Sequence, residues 1–136
     1  MAKLNPYISF SGKTREALGF YKEIFGGEIS LMTIADTPMA EQFPAEKQQE
    51  IMHGQLDAGG VVLMGSDMSG PEGVTQGNSV SLVLNCDSQE EIERLFQQLS
   101  TDGKAGMALS DTFWGAVYGS LIDKYGVYWS LNYQKA

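Results

Sequence analysis

Residues 111–132 read DTFWGAVYGSLIDKYGVYWSLN, and this stretch limits the fold more than any other. Both tryptophans of the chain lie in it, together with Tyr118, Tyr125 and Tyr128. Strand-forming residues run through it and are interrupted once, at Asp123-Lys124-Tyr125-Gly126. Two half-buried runs around a polar, glycine-containing turn predict a β-hairpin. The rest of the chain reads as a scaffold that repeats this hairpin and faces it.

From the amino terminus, Leu4 to Phe10 reads as a strand. Thr14 is the expected N-cap of a helix whose apolar positions Ala17, Leu18, Tyr21, Ile24 and Phe25 recur every three or four residues, and Gly26-Gly27 stops it. A second strand is expected over 28–35, with Ile29, Leu31 and Thr33 on one side. Residues 36–49 carry two prolines and several charges and read as an irregular loop with a helical turn near Met39 to Phe43. Runs 51–56 and 61–65 form a hairpin joined by Asp57-Ala58-Gly59-Gly60. Residues 66–78 are rich in Gly, Ser and Pro and divide the chain, giving a first module over 1–67, a linker over 68–78 and a second module over 79–136. In the second, 80–86 reads as an apolar strand, Asp87 or Ser88 caps a helix over 89–99, and 104–109 reads as a short strand.

Both halves therefore run strand, helix, strand, hairpin. YISFSGKTREALGFY (7–21) aligns with LVLNCDSQEEIERLF (82–96), and HGQLDAGG-VVLMGS (53–66) with YGSLIDKYGVYWSLN (118–132) with one insertion in the turn, so the repeat rests on element order and glycine position, Gly54 falling on Gly119. The predicted fold class is α+β. Two βαβββ repeats pair their curved mixed sheets around a cleft, with the helices outside, and the concave face is the default place for a small molecule.

Composition excludes several functions. With a net charge of -8 and no basic cluster, the chain is a poor match to a nucleic-acid backbone or an anionic membrane. One cysteine excludes an internal disulfide and a multi-cysteine zinc site. The short polar amino terminus is unlike a signal peptide and no apolar run reaches membrane length, so the expected location is cytoplasmic.

The segments NPYISFSGKTREALGFYKEIFGGE, IMHGQL, LMGSD, DTFWG and YGSLIDKYGVYW, in this order over nearly the whole chain, resemble the vicinal oxygen chelate superfamily, which includes glyoxalase I, extradiol dioxygenases and bleomycin-resistance proteins. Within it they resemble the PhnB-like branch. The resemblance implies a homodimer. It also implies four inward positions that hold metal ligands in metal-dependent members, and these fall here on Pro6, Met64, Ser81 and Ser130. None is a carboxylate or an imidazole, and thioethers and hydroxyls are weak ligands for hard or borderline divalent ions. The expectation is therefore no metal and no cofactor.

His53 is the sole histidine and the candidate catalytic group, as a hydrogen-bonding group or general base; a backbone-bonded structural histidine is the alternative. Expected ligand-binding residues are Tyr7, His53, Met64, Ser81, Trp114, Tyr118 and Ser130. Trp114 and Tyr118 offer flat apolar area with a polar tip, or else serve core or dimer packing. Phe113 reads as core. Of Tyr128 and Trp129 only one points inward. Cys86, next to Asp87, reads as a buried unreactive thiol. Scattered methionines offer a pliable surface or fill the core. Lys13 and Arg15 stand alone as a basic group, and no glycine-rich strand-to-helix loop suits S-adenosylmethionine. Two functions compete: a metal-free small-molecule binder, and a metal-independent lyase, transferase or isomerase that uses His53.

Overall fold

A computed structural model describes residues 1–69 and 72–135. Gly70 and Pro71, in the expected linker, lie outside the described residues. The chain divides into two compact units, Met1–Thr75 and Gln76–Ala136.

The first unit contains β1 (Tyr7–Ser9), α1 (Thr14–Phe25), β2 (Glu28–Thr33), β3 (Ile51–Asp57) and β4 (Val62–Ser66). The sheet order is β1-β4-β3-β2; β1 runs parallel to β4 and the other pairs are antiparallel. The periodic face of α1 buries Thr14, Ala17, Leu18, Tyr21 and Ile24. It lies on one side of the sheet, over Gly54. A Cβ at Gly54 would come within 2.9 Å of Leu18 Cδ1, 3.1 Å of Leu31 Cδ2 and 3.2 Å of Thr14 Cγ2. Only a residue without a side chain allows the helix this close.

Thr14 is not the N-cap. Lys13 holds that position, without a side-chain bond. The Thr14 amide instead donates to Asp67 Oδ1 at 2.9 Å, and Asp67 Oδ2 accepts from Ile51 N at 2.8 Å. One carboxylate thus satisfies an orphan amide of the first helical turn and ties it to the start of β3. The Thr14 hydroxyl is buried without a hydrogen-bond partner among the described residues. β2 ends at Thr33, earlier than expected, because Asp36 Oδ2 accepts from both the amide and the hydroxyl of Thr33 and turns the chain. These two bonds also lower the Asp36 pKa. The loop then makes single 3₁₀ turns at Ile34–Asp36, Ala40–Gln42 and Ala45–Lys47. The Gln48 amide gathers it by donating to the carbonyls of Ala40 and Phe43 at 2.7 and 3.0 Å.

The second unit contains β5 (Leu82–Cys86), α2 (Gln89–Leu99), β6 (Lys104–Ala105), β7 (Ser110–Asp111), β8 (Ala116–Ile122) and β9 (Tyr128–Gln134). The order is β5-β9-β8-β6, with β7 also on β8, and β5 parallel to β9. The expected strand over 104–109 is two short pieces. Between them Ser120 Oγ accepts from Met107 N at 3.0 Å, and the Ser120 amide donates to the Met107 carbonyl at 2.9 Å. Ser88 caps α2 by accepting from Glu91 N at 3.1 Å, and the Glu91 carboxylate accepts from Asp87 N at 2.8 Å. α2 buries Ile92, Leu95 and Leu99 and lies over Gly119, where a Cβ would come within 3.0 Å of Phe96 Cε2.

The β8–β9 hairpin closes on Asp123, only 3% exposed. Its carboxylate accepts from Tyr125 N, Val127 N and, at 2.8 Å, the indole Nε1 of Trp129. Trp129 is the inward member of the Tyr128–Trp129 pair, at 2% exposure. Phe113 departs from expectation: it is 97% exposed, in the turn before β8 rather than in the core. Thr112 makes this turn, donating its amide to the Ala116 carbonyl and accepting from Ala116 N at its hydroxyl. The turn therefore carries Phe113 past the end of the sheet. No helix among the described residues is long and apolar enough to cross a membrane.

The packing over Gly54 makes one prediction with an internal control. Gly19 lies inside α1 with open space around it. Gly19→Ala should raise stability by about 1 kcal/mol through helix propensity. Gly54→Ala should lower it by about 1–3 kcal/mol through overpacking. Urea unfolding midpoints of the two variants check both signs. Cys86 gives a second test. Burial first, then the carboxylates of Glu91 and Asp87, push its thiol up from 9.0 to about 11. The folded protein should resist iodoacetamide at neutral pH and react freely only once unfolded. The native state holds this proton more tightly than the unfolded chain, so stability should fall as pH rises from about 9 to about 11.

Candidate functional site

Each helix covers one face of its sheet, and alternation along the strands decides what the other face carries. In the first unit Gly54, Leu56 and Leu63 belong to the helix side, so His53, Gln55 and Met64 point the other way. The pairing supports this: Tyr7 lies beside Met64, Met64 opposite Gln55, and Gln55 opposite Ser30. The Tyr7 and His53 rings meet at 5.7 Å between centroids, inclined by 33°. Three expected residues, Tyr7, His53 and Met64, thus share the helix-free face of the first sheet.

Pro6 lies outside the first strand. β1 begins at Tyr7, and Tyr7 is the Cα partner of Met64. Pro6 lies just before β1 and offers its carbonyl to the Met64 amide at 3.1 Å.

His53 is half-buried, and among the described residues its ring nitrogens have no protein hydrogen-bond partner. No carboxylate orients the imidazole, so the geometry is not that of a nucleophile-activating triad.

In the second unit Gly119, Leu121 and Leu131 belong to the helix side, and Tyr118, Ser120, Ser130 and Asn132 point away from it. Ser81 joins them. Tyr118 donates its hydroxyl to Ser130 Oγ at 3.0 Å, and Ser130 Oγ lies 3.0 Å from Ser81 Oγ. Ser130 is 7% exposed. The Asn132 amide lies 3.4 Å from Asn85 Oδ1 on the same face. Three more expected residues, Ser81, Tyr118 and Ser130, thus form one hydroxyl cluster.

Trp114 stands apart from that cluster. It lies in the turn before β8, 56% exposed, with its ring edge-on to Phe113 at 4.8 Å. The strand pattern could not place it, because the turn around Thr112 interrupts the alternation.

A metal of the kind the superfamily uses does not fit these residues. Met64 supplies a thioether, and the hydroxyls of Ser81 and Ser130 are engaged with each other. Among the described residues no group of three or more His, Cys, Asp or Glu side chains could hold an ion.

Sequence reasoning missed a cavity of about 400 Å³ at the start of α1, lined by Gly12, Arg15, Glu16, Glu46, Gln49, Glu50, Ile51 and Asp67. Glu46 and Glu50 from the loop border it. The Asp67 carboxylate there already serves two backbone amides. No pattern in the sequence announces this cavity, since the 3₁₀ loop brings its glutamates to the helix start.

Comparison with known proteins places this arrangement. The family model described as 3-demethylubiquinone-9 3-methyltransferase matches residues 2–132. Protein YjdN of Escherichia coli K12 is 32% identical over 97% of this chain and 95% of its own length. The crystal structure of protein PA1353 from Pseudomonas aeruginosa superimposes with a TM-score of 0.87 at 34% identity, covering 100% of both chains. A putative 3-demethylubiquinone-9 3-methyltransferase, PhnB protein, from Bacillus cereus gives a TM-score of 0.72 at 29% identity over 97% of this chain and 99% of its own. A glyoxalase-related enzyme from Fulvimarina pelagi shares the fold, with a TM-score of 0.63 at 18% identity over 98% and 89% of the two chains. The chain belongs to the PhnB-like family described as 3-demethylubiquinone-9 3-methyltransferase and has a glyoxalase-like fold.

Proposed function

We propose that this PhnB-like protein binds a small organic molecule on the helix-free faces of its sheets, without a metal ion and as a homodimer. The observation that carries this reading is the side-chain chemistry of those faces. The first presents Tyr7, His53, Gln55 and Met64, and the second presents Tyr118, Ser130, Ser81 and Asn132. Aromatic rings and a thioether supply apolar contact area, and a few fixed polar groups supply orientation. This is the usual composition of a small-molecule site. It is a poor composition for a divalent cation, which requires several carboxylate or imidazole donors at once.

The family description names a methyltransferase. The residues present do not fit a nucleoside methyl donor. The strand-to-helix loops here are Phe10-Ser11-Gly12-Lys13 and Asp87-Ser88, with one glycine between them. Among the described residues parallel pairing is limited to β1 with β4 and β5 with β9. A dinucleotide-type site needs a glycine-rich turn feeding a helix from a parallel sheet.

The second reading, a metal-independent lyase, transferase or isomerase, is favoured by His53 alone. Its imidazole has both nitrogens available beside the Tyr7 ring, within reach of a bound molecule on that face. A general base needs a nitrogen free to take the substrate proton, and His53 meets that condition.

Elemental analysis of the purified protein, with sedimentation equilibrium on the same sample, tests the first reading. Zinc, nickel, manganese and iron should all be substoichiometric, and the mass should be twice that of the 14.8 kDa chain. One tightly held transition metal per chain would overturn the metal-free site, and a monomer the assembly. His53→Ala tests the second reading. If His53 is the base, turnover should fall by about 10²–10⁴-fold. Unchanged turnover excludes that role.

A further inference from the structure

The hydroxyl cluster of the second unit restricts what its sheet can recognise. Tyr118, Ser130 and Ser81 carry three hydroxyl hydrogens, one per side chain. Two hydrogen bonds join them, and Tyr118 is the donor in one. If Ser130 donates to Ser81, the Ser81 hydrogen remains. If Ser81 donates to Ser130, the Ser130 hydrogen remains. In either arrangement one serine hydrogen is left over on the helix-free face.

Within this sheet the surroundings of that donor are uncharged apart from one lysine at the edge. β5, β8 and β9 place Val83, Asn85, Ser120, Ile122, Tyr128 and Asn132 on this face, by register with Ser130 and Tyr118. Lys104, opposite Ile122 on the edge strand β6, is a charge at the margin. A carboxylate or phosphate settling on Ser130 would lose its water and gain one neutral donor, which does not repay the desolvation of an ion. A carbonyl or amide oxygen loses far less. The Asn85–Asn132 pair beside Tyr118 adds amide donors and acceptors suited to the same kind of molecule.

We infer that the helix-free face of the second sheet selects uncharged carbonyl- or amide-bearing molecules, whose oxygen accepts the spare hydrogen of the Ser81–Ser130 pair. This rests on the small-molecule reading above and adds the ligand's charge class and the group that reads it.

Benzamide and benzoate, matched in size and differing in charge, test it by titration into ¹⁵N-labelled full-length protein. Benzamide should shift the amide signals of Ser81, Tyr118, Ser130 and Asn132, and benzoate at equal concentration should leave them in place. Ser130→Ala should weaken benzamide binding about three- to tenfold, the range of one ordinary hydrogen bond. Ser81→Ala is the second variant should Ser130→Ala not fold. Benzoate shifting these signals as strongly as benzamide, or benzamide affinity unchanged in the variants, would overturn the inference and leave the small-molecule reading intact. Neither probe moving any signal from the helix-free faces would overturn both.

Discussion

One helix can cover only one face of a sheet, and in each unit that helix seats over a glycine. α1 lies over Gly54 and α2 over Gly119, in strands that align as HGQL and YGSL. A side chain at either position would meet Leu18 or Phe96 at contact distances that packed interiors do not tolerate. The glycine fixes which face the helix takes. Alternation then sends its neighbours, His53 and Gln55 in one unit and Tyr118 and Ser120 in the other, to the opposite face. The chemistry of the candidate site is thus set by a packing requirement on the side away from it.

Two carboxylates hold the backbone around this arrangement. Asp67 joins the first turn of α1 to the start of β3 through the amides of Thr14 and Ile51. Asp123 closes the β8–β9 turn and holds the Trp129 indole against the helix side of the second sheet. Both are structural uses of charge, since each carboxylate accepts from amide or indole N–H groups. A reading that treated acidic residues as a pool of metal ligands would have misassigned them.

The two helix-free faces have diverged in chemistry while keeping corresponding positions. His53 and Tyr118 align in the repeat, as do Met64 and Ser130. The first face carries an imidazole tilted against a phenol. The second carries hydroxyls bonded to one another. A duplicated fold gives each copy its own wall to evolve, and here one wall is aromatic and titratable while the other is neutral and polar.

Much of this was legible in the chain alone. The order of elements, the repeat, the opposite facing of Tyr128 and Trp129 and the buried face of α1 follow from short-range periodicity, which the backbone geometry of helices and strands imposes locally. The helix over Gln89–Leu99 and its Ser88 cap are equally local. Tertiary structure decided the rest, wherever partners lie far apart in sequence. Asp67 caps a helix that begins 53 residues earlier. Ser81 and Ser130 meet across 49 residues. Tyr7, not Pro6, lies beside Met64 because parallel register is set by how two distant strands pack. Phe113 looked like core because its composition is apolar, but a turn built by Thr112 carries it into solvent. Sequence pattern determines which way a side chain faces along its own element, and only the packing of elements decides what it faces.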